Sequence, residues 1–214
     1  MKFTVICVLR SGGVYDASWV EKLKNGCKRH LPQHIFNCLS DVPVPCNRIP
    51  LKHDWPGWWS KIELFRPGVI DGPTLYLDLD TVITGAIDVG KLLREGADFS
   101  MLQSFWRPDM VGSGVMWFSG ENVPTAIYEK FVRQPKAYIA HHERHAKGTY
   151  VGDQAFIHDV VSDEVPRIND YLFGIKSYKF HCHRILPQDA RIVCFHGKPT
   201  LLQVDHDWVR THWA

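Results

Sequence analysis

The chain has 214 residues, of which 45% are hydrophobic and 22% charged, with a formal net charge of +2. That length supports one sizeable core rather than two ordinary domains, so a single domain over residues 1–214 is expected. The balance excludes disordered, collagen-like and coiled-coil classes, and so small a charge without a block of like charges excludes nucleic acid as a partner.

Six cysteines lie at positions 7, 27, 38, 46, 182 and 194, none in a CxxC pair. A chain this long does not need disulfide staples, so reduced thiols of a cytoplasmic protein are expected. The N-terminal apolar stretch, Phe3 to Leu9, is short and runs into Arg10-Ser11-Gly12-Gly13 instead of a small-residue cleavage site. It reads as a first strand, not a signal peptide. With no run of 18 apolar residues, no transmembrane segment is expected.

In chain order, the β-branched run Phe3–Leu9 and its glycine loop predict a buried strand of the parallel type. A helix follows, capped by Asp16 or Ser18 and carrying Trp19, Val20, Leu23 and Cys27 at helical spacing. Residues 35–39 predict a second strand. Residues 41–57 hold Pro43, Pro45, Pro50 and Pro56 and read as an ordered loop, or as a short strand around Ile49. A helix is expected from Trp58 to Phe65, stopped by Pro67. Thr74–Ile83 is the strongest strand. Further strands are expected at 96–101, 114–119 and 192–196, with helices at 124–131 and 153–161. The polar, His-rich stretch 133–150 reads as a solvated loop. The alternation implies an α/β fold with mixed strand order.

Leu75-Tyr76-Leu77-Asp78-Leu79-Asp80 alternates apolar with polar, so strand periodicity puts Tyr76, Asp78 and Asp80 on one face. Two carboxylates one strand step apart repel and lose hydration, which is costly unless a cation or a shared proton offsets it. The apolar flanks argue against an exposed edge strand, and metal binding is the favoured reading. Asp78-Leu79-Asp80-Thr81-Val82 also fits the nucleophile strand of a haloacid-dehalogenase-like phosphatase, with Gly152-Asp153 and Asp159 as its later acidic motif. That strand normally opens its domain, however, and here about 75 residues precede it. His141, His142 and His145 have a spacing that can bind zinc on a helix, but they form no HExxH, and a solvated loop is the plainer reading.

Four segments in order resemble glycosyltransferase family 8, the glycogenin-like and bacterial galactosyltransferase group. They are Val5–Leu9 with its loop to Tyr15, Leu75–Ile83 with its DxD, Gly112-Ser113-Gly114-Val115-Met116-Trp117-Phe118, and Gly152-Asp153-Gln154 with a late Phe195-His196-Gly197-Lys198-Pro199. The last departs from the family, which spaces His, Gly and Lys more widely and ends Lys-Pro-Trp. The resemblance implies a single-domain GT-A fold, Rossmann-like, with a mixed central sheet flanked by helices. It also implies a metal-dependent, retaining transfer of a sugar from a nucleotide-sugar donor, a UDP-sugar, to a glycan or lipid-linked acceptor.

Carried onto this chain, the resemblance assigns Asp78, Asp80 and His196 as ligands of Mn²⁺ or Mg²⁺, a largely oxygen donor set. Leu9, Arg10, Tyr15, Lys61, Asp78, Leu79, Asp80, Gly112, Ser113, Gly114 and Lys198 would bind the donor. Asp153 and Gln154 would face its anomeric centre. A strand-end histidine and a surface lysine are the plain alternatives for His196 and Lys198. Trp58, Trp59 and Trp106 are candidates for stacking on an acceptor sugar or for core packing. A sugar-nucleotide-binding module without turnover is the non-enzymatic alternative. A nucleotidyltransferase is disfavoured because Arg10-Ser11-Gly12-Gly13 is too short a match to its glycine-rich loop.

Overall fold

The structure, a computed structural model, describes residues 2–144, 151–161 and 164–214. Among these residues nine strands are formed: β1 Phe3–Leu9, β2 His34–Ser40, β3 Asn47–Pro50, β4 Thr74–Leu77, β5 Thr81–Ile83, β6 Phe99–Gln103, β7 Val111–Phe118, β8 Ile175–Ser177 and β9 Ile192–Cys194. Six of them make the main sheet in the order β3-β2-β1-β4-β7-β6, and β5-β9-β8 make a smaller one. The first four strands of the main sheet run parallel, whereas β7 is antiparallel to both β4 and β6.

The apolar run of β1 is explained by burial on both faces. Val5, Cys7 and Leu9 join one core and Ile6 the other, the alternation expected of a strand. Helix α1, Ala17–His30, covers the first face. Asp16 caps it, accepting from the Ser18 N–H at 2.9 Å, and Lys28, Arg29 and His30 occupy its last turn, where the helix dipole favours cations. Trp19, Val20, Leu23 and Cys27 face the sheet, as their spacing predicts.

The second face is covered by a 3-10 helix, Gly57–Phe65, and by α3, Ala126–Arg133, and α5, Asp153–Val161. Trp59, Ile62, Leu64 and Phe65 are fully buried there, so Trp59 is a core residue and not a sugar platform. Glu63, on the same helix, is also fully buried. It accepts from the backbone N–H groups of Lys52 and His53 at 2.8 Å each and lies 3.2 Å from Arg66, which ties the proline-rich segment to the sheet. Two further short helices are α2, Gly90–Glu95, and α6, Asp207–His212.

Three expectations are corrected. Thr74–Ile83 is not one strand. The Asp78 N–H donates to Gly114 O at 3.0 Å and the Thr81 N–H to Asp78 O at 3.2 Å, so the chain turns at 78–80 and β5 crosses to the smaller sheet. A turn lets both carboxylates leave the sheet, where a strand would bury them as neighbours. The strand expected from Gly114 begins earlier, at Val111, so Gly112 and Ser113 also lie inside β7. The pairing jumps from Met101↔Met116 to Leu102↔Gly112, so residues 113–115 form a bulge facing the turn. Residues 135–144 are helical, not a loop: α4, Pro135–Arg144, starts with a proline, and Tyr138, Ile139 and His142 make a narrow stripe against the core. The rest of the expected loop, including His145, lies outside the described residues.

Candidate active site

The main sheet reverses its winding between β1 and β4, since β2 and β3 lie on one side of β1 and β4, β7 and β6 on the other. Crevices of this kind, at the carboxyl ends of diverging strands, are where open α/β sheets bind ligands. The loop after β1 brings Arg10, Ser11 and Tyr15 to this edge, and the turn after β4 brings Asp78 and Asp80. The bulge of β7 contributes Ser113 and Gly114, the 3-10 helix Lys61, and the first turn of α5 Asp153.

Lys61 is the hub. Its side chain is 7% exposed, and its Nζ lies 2.9 Å from Asp78 Oδ1 and 3.1 Å from Asp153 Oδ2. It donates to Ser113 Oγ at 3.0 Å, and Ser113 Oγ donates to Asp153 Oδ2 at 2.6 Å. The Tyr76 hydroxyl donates to Asp78 Oδ1 and the Tyr15 hydroxyl to Asp80 Oδ2 at 2.9 Å. Burial alone would depress the Lys61 ammonium, but the Asp153 and Asp78 carboxylates outweigh it and hold it above the ordinary lysine value. Asp80 has no ion-pair partner among the described residues, and Lys61 lowers it only from a greater distance. Burial first, then the Asp78 charge, push it up to about 7, against partial relief from the Tyr15 hydroxyl. Two carboxylates, Asp78 and Asp153, therefore share one buried ammonium, with Asp80 beside them.

The geometry of α5 depends on Gly152. Its φ is +76°, a conformation side chains avoid, and a Cβ there would lie 2.8 Å from Trp58 Nε1. Gly152→Ala is expected to displace Trp58 and the start of α5, lowering the midpoint of thermal unfolding by roughly 2–8 °C. An unchanged midpoint would show that the turn relaxes freely.

Other expected donor residues are placed differently. Leu9 and Leu79 are buried in the core, so only their backbone can face a ligand. Arg10 is engaged by Asp41 and Asp54, and Ser11 donates to Asp41 from both its N–H, at 2.8 Å, and its hydroxyl, at 2.5 Å. Asp41, at the end of β2, carries no sequence signal beyond following an apolar run. Gly112 has space for a side chain against Leu102, whereas a Cβ on Gly114 would come 3.3 Å from Asp78 Oδ2. Gln154 follows Asp153 in the first turn of α5 and is half-buried, and Lys198 is exposed.

His196 sits just beyond β9, next to the carboxylate turn, because the Phe195 N–H donates to Asp80 O at 3.2 Å. Both its ring nitrogens are engaged elsewhere. Nδ1 accepts from Trp106 Nε1 at 3.2 Å, which leaves Nε2 to donate to Ser177 Oγ at 2.7 Å. Burial, then Lys179, lower its pKa to about 4, so the ring is neutral at physiological pH. Among the described residues, no three His, Cys, Asp or Glu side chains are grouped to hold a metal ion. That covers His141 and His142 as well: the His142 ring packs on Phe156, with Nε2 3.6 Å from Asp159. Asp153 and Asp159, both on α5, thus have different partners: Asp153 meets Lys61 and Ser113, and Asp159 meets His142.

The mixed α/β fold, with a central mixed sheet flanked by helices, is that of the GT-A glycosyltransferases. The apo-form glycosyltransferase GlyE of Streptococcus pneumoniae TIGR4 superposes with a TM-score of 0.61 at 15% identity, over 94% of this chain and 56% of that one. The galactosyltransferase LgtC, in complex with donor and acceptor sugar analogs, gives 0.60 at 10% identity, over 98% of this chain and 91% of that one. The bifunctional glycosyltransferase WbbM gives 0.60 at 12% identity, over 94% and 47%. This chain thus spans about half of GlyE and WbbM and nine-tenths of LgtC. No protein-family model and no curated protein sequence matches it. The described cysteines are free thiols, and among the described residues no helix is long and apolar enough to cross a membrane.

Proposed function

We propose that this chain is a glycosyltransferase that moves a sugar from a nucleotide-linked donor, a UDP-sugar, to a glycan or lipid-linked acceptor, with retention at the anomeric carbon. The observation that carries the reading is the pair of carboxylates on the turn after β4, at the sheet's switch point and joined through Lys61 and Ser113 to Asp153. A fold shared with glycosyltransferases supports it.

The residues fit a divalent cation, because Asp80 forms no ion pair among the described residues and burial and Asp78 push it toward neutrality, which Tyr15 and the more distant Lys61 only partly offset. Asp78 and Asp80 would hold Mn²⁺ or Mg²⁺ through hard oxygen atoms, and His196 would join them only by giving up Ser177 or Trp106. When bound, the ion would act as a Lewis acid for the diphosphate leaving group. Lys61 holds Asp78 and Asp153 in place. Asp153, held at both Lys61 and Ser113, orients the hydroxyls of the donor sugar, and Gln154 lies beside the anomeric carbon. Arg10, Ser11 and Tyr15 line the nucleoside end of the crevice, and Lys198 is near enough in sequence to His196 to meet the phosphates. The acceptor oxygen bonds to the anomeric carbon as the bond to the phosphate oxygen breaks. The acceptor's proton passes to the departing phosphate on the same face, and configuration is retained.

Calorimetric titration of UDP, with and without Mn²⁺, on the wild type and on Asp80→Ala tests this. Binding is expected to need both the ion and Asp80, the variant losing at least about tenfold. Binding indifferent to ion and variant would remove the carboxylate turn from the donor site. Transfer from labelled UDP-sugars then separates an enzyme from a module that only binds.

A further inference from the structure

The loop between β6 and β7 and the π-helical turn Tyr178–Cys182 place two large rings in solvent beside the site. Trp106 is 48% exposed and Phe180 43%, and the rings meet edge-on with centroids 4.8 Å apart at 76°. Both lean on His196, at 6.2 and 6.1 Å, and Phe105 stacks against that imidazole at 5.5 Å and 14°. A contiguous exposed aromatic patch marks a contact surface far more often than single exposed rings do.

The patch is rigid. The one polar atom of Trp106 is directed inward to His196, and His196 donates in turn to Ser177, a fully buried hydroxyl. The indole edge is therefore anchored at the end of a two-bond relay while its ring remains half in solvent. Lys179 adds a cation at the rim, with Nζ 5.5 Å from the Trp106 ring centroid and 3.0 Å from where a Gly197 Cβ would stand. His196 directly follows Phe195, whose N–H donates to Asp80 O, so the patch adjoins the carboxylate turn. It also lies toward the β7–β6 side of β4, opposite the β1–β2 ends that carry Arg10 and Ser11.

We propose that Trp106 and Phe180, braced by His196, form the subsite for the acceptor, and that its occupant is a pyranose ring laid with its C–H face on Trp106 and a hydroxyl toward Lys179. The assignment rests on the transferase reading. A pyranose suits the surface chemically: it has an apolar face, which an indole covers, and hydroxyls at its perimeter, which a rim ammonium meets. A nucleobase would need edge-directed donors and acceptors, and those of Trp106 and His196 are already engaged with each other and with Ser177. His196 on this view is a positioning residue, acting on the acceptor through Trp106.

The test titrates methyl β-D-galactopyranoside and methyl β-D-glucopyranoside into the full chain, with and without UDP and Mn²⁺, read by saturation-transfer NMR and tryptophan fluorescence. UDP affinity is measured on the same samples by calorimetry. The variants are Trp106→Ala, Trp106→Phe, and Phe173→Ala as a control. Phe173 is 73% exposed with Lys91 5.6 Å from its ring, the same surface chemistry away from the site. At least one glycoside is expected to bind the wild type and Phe173→Ala alike, to weaken roughly tenfold in Trp106→Ala, and to be largely retained in Trp106→Phe, with UDP affinity unmoved. Equal glycoside binding by Trp106→Ala, binding of neither glycoside by the wild type, or loss of UDP in place of glycoside would each overturn the subsite, the last reassigning the ring to the nucleobase. Failure of the wild type to bind UDP would instead count against the donor reading, and the glycoside comparison would still decide the platform.

Discussion

Lys61→Ala is expected to lower the free energy of unfolding by about 3–5 kcal/mol and to abolish nucleotide binding, because removing one member of a buried ion network strands the others. Lys61 is the cation common to Asp78 and Asp153. Without it those two carboxylates, with Asp80 beside them, face one another with the Tyr76, Ser113 and Tyr15 hydroxyls as donors and no ammonium between them. The loss has a distinctive pH dependence. Stranded carboxylates acquire raised pKa values, so the variant binds protons more tightly when folded than when unfolded, and its deficit shrinks as pH falls toward 4. Urea unfolding of Lys61→Ala and of Lys61→Met at pH 4.5 and pH 8 measures this. Methionine keeps the volume of the side chain and removes only the charge, so it separates the ion network from packing. A deficit that is the same at both pH values, or that methionine repairs, would assign Lys61 to packing alone. The double variant Lys61→Met with Asp153→Asn should recover part of the loss, since one stranded charge is gone.

The β-α-β opening was legible because its signals are local. An apolar run, a capping aspartate and a helical stripe specify β1 and α1 from Phe3 to Cys27 without reference to the rest of the chain. The carboxylate pair was legible for a similar reason, since two acidic residues closing an apolar strand demand compensation wherever they lie. What periodicity cannot show is where a strand ends when both neighbouring segments are apolar. Thr81–Ile83 is as β-branched as any strand, and only its pairing with β9, about 110 residues away in the chain, moves it to another sheet. The Ser113 bulge, the contact between Tyr15 and Asp80, and the Trp106–His196–Ser177 relay are likewise products of long-range register. His196 illustrates the limit. The resemblance assigns it to a metal through its place after the last strand, whereas its environment of Phe105, Trp106 and Phe180 comes from two distant segments with no motif of their own. Residues 135–144 misled for a different reason: polar side chains dominate that helix, and the narrow stripe of Tyr138, Ile139 and His142 is enough to seat it.

Asp80→Asn is expected to stabilise the metal-free protein while removing its ion-dependent nucleotide binding. Asp80 is pushed up to about 7 by burial and by Asp78, so its folded-state value lies above that of an unfolded carboxylate. The native state then holds the proton more tightly than the unfolded one. Asp80 costs nothing in strong acid, and its cost grows as pH rises from about 4 through 7 and is complete above that. A shift of that size would amount to about 4 kcal/mol for a fully enclosed group, and solvent screening of this half-buried one reduces the expectation to about 1–2 kcal/mol. Asparagine keeps the shape, accepts from Tyr15 and carries no charge, so at pH 8 the variant should melt roughly 2–6 °C above the wild type, and at pH 4 the two should coincide. Adding Mn²⁺ at pH 8 should reverse the order, because an ion bound only by the native wild type stabilises it by mass action and leaves the variant unmoved. Thermal melts at the two pH values, with and without Mn²⁺, therefore read strain and use at one residue together. If Asp80→Asn melts below the wild type at pH 8 without metal, the carboxylate is already satisfied by Tyr15 and its neighbours, and the turn after β4 has no need of a cation.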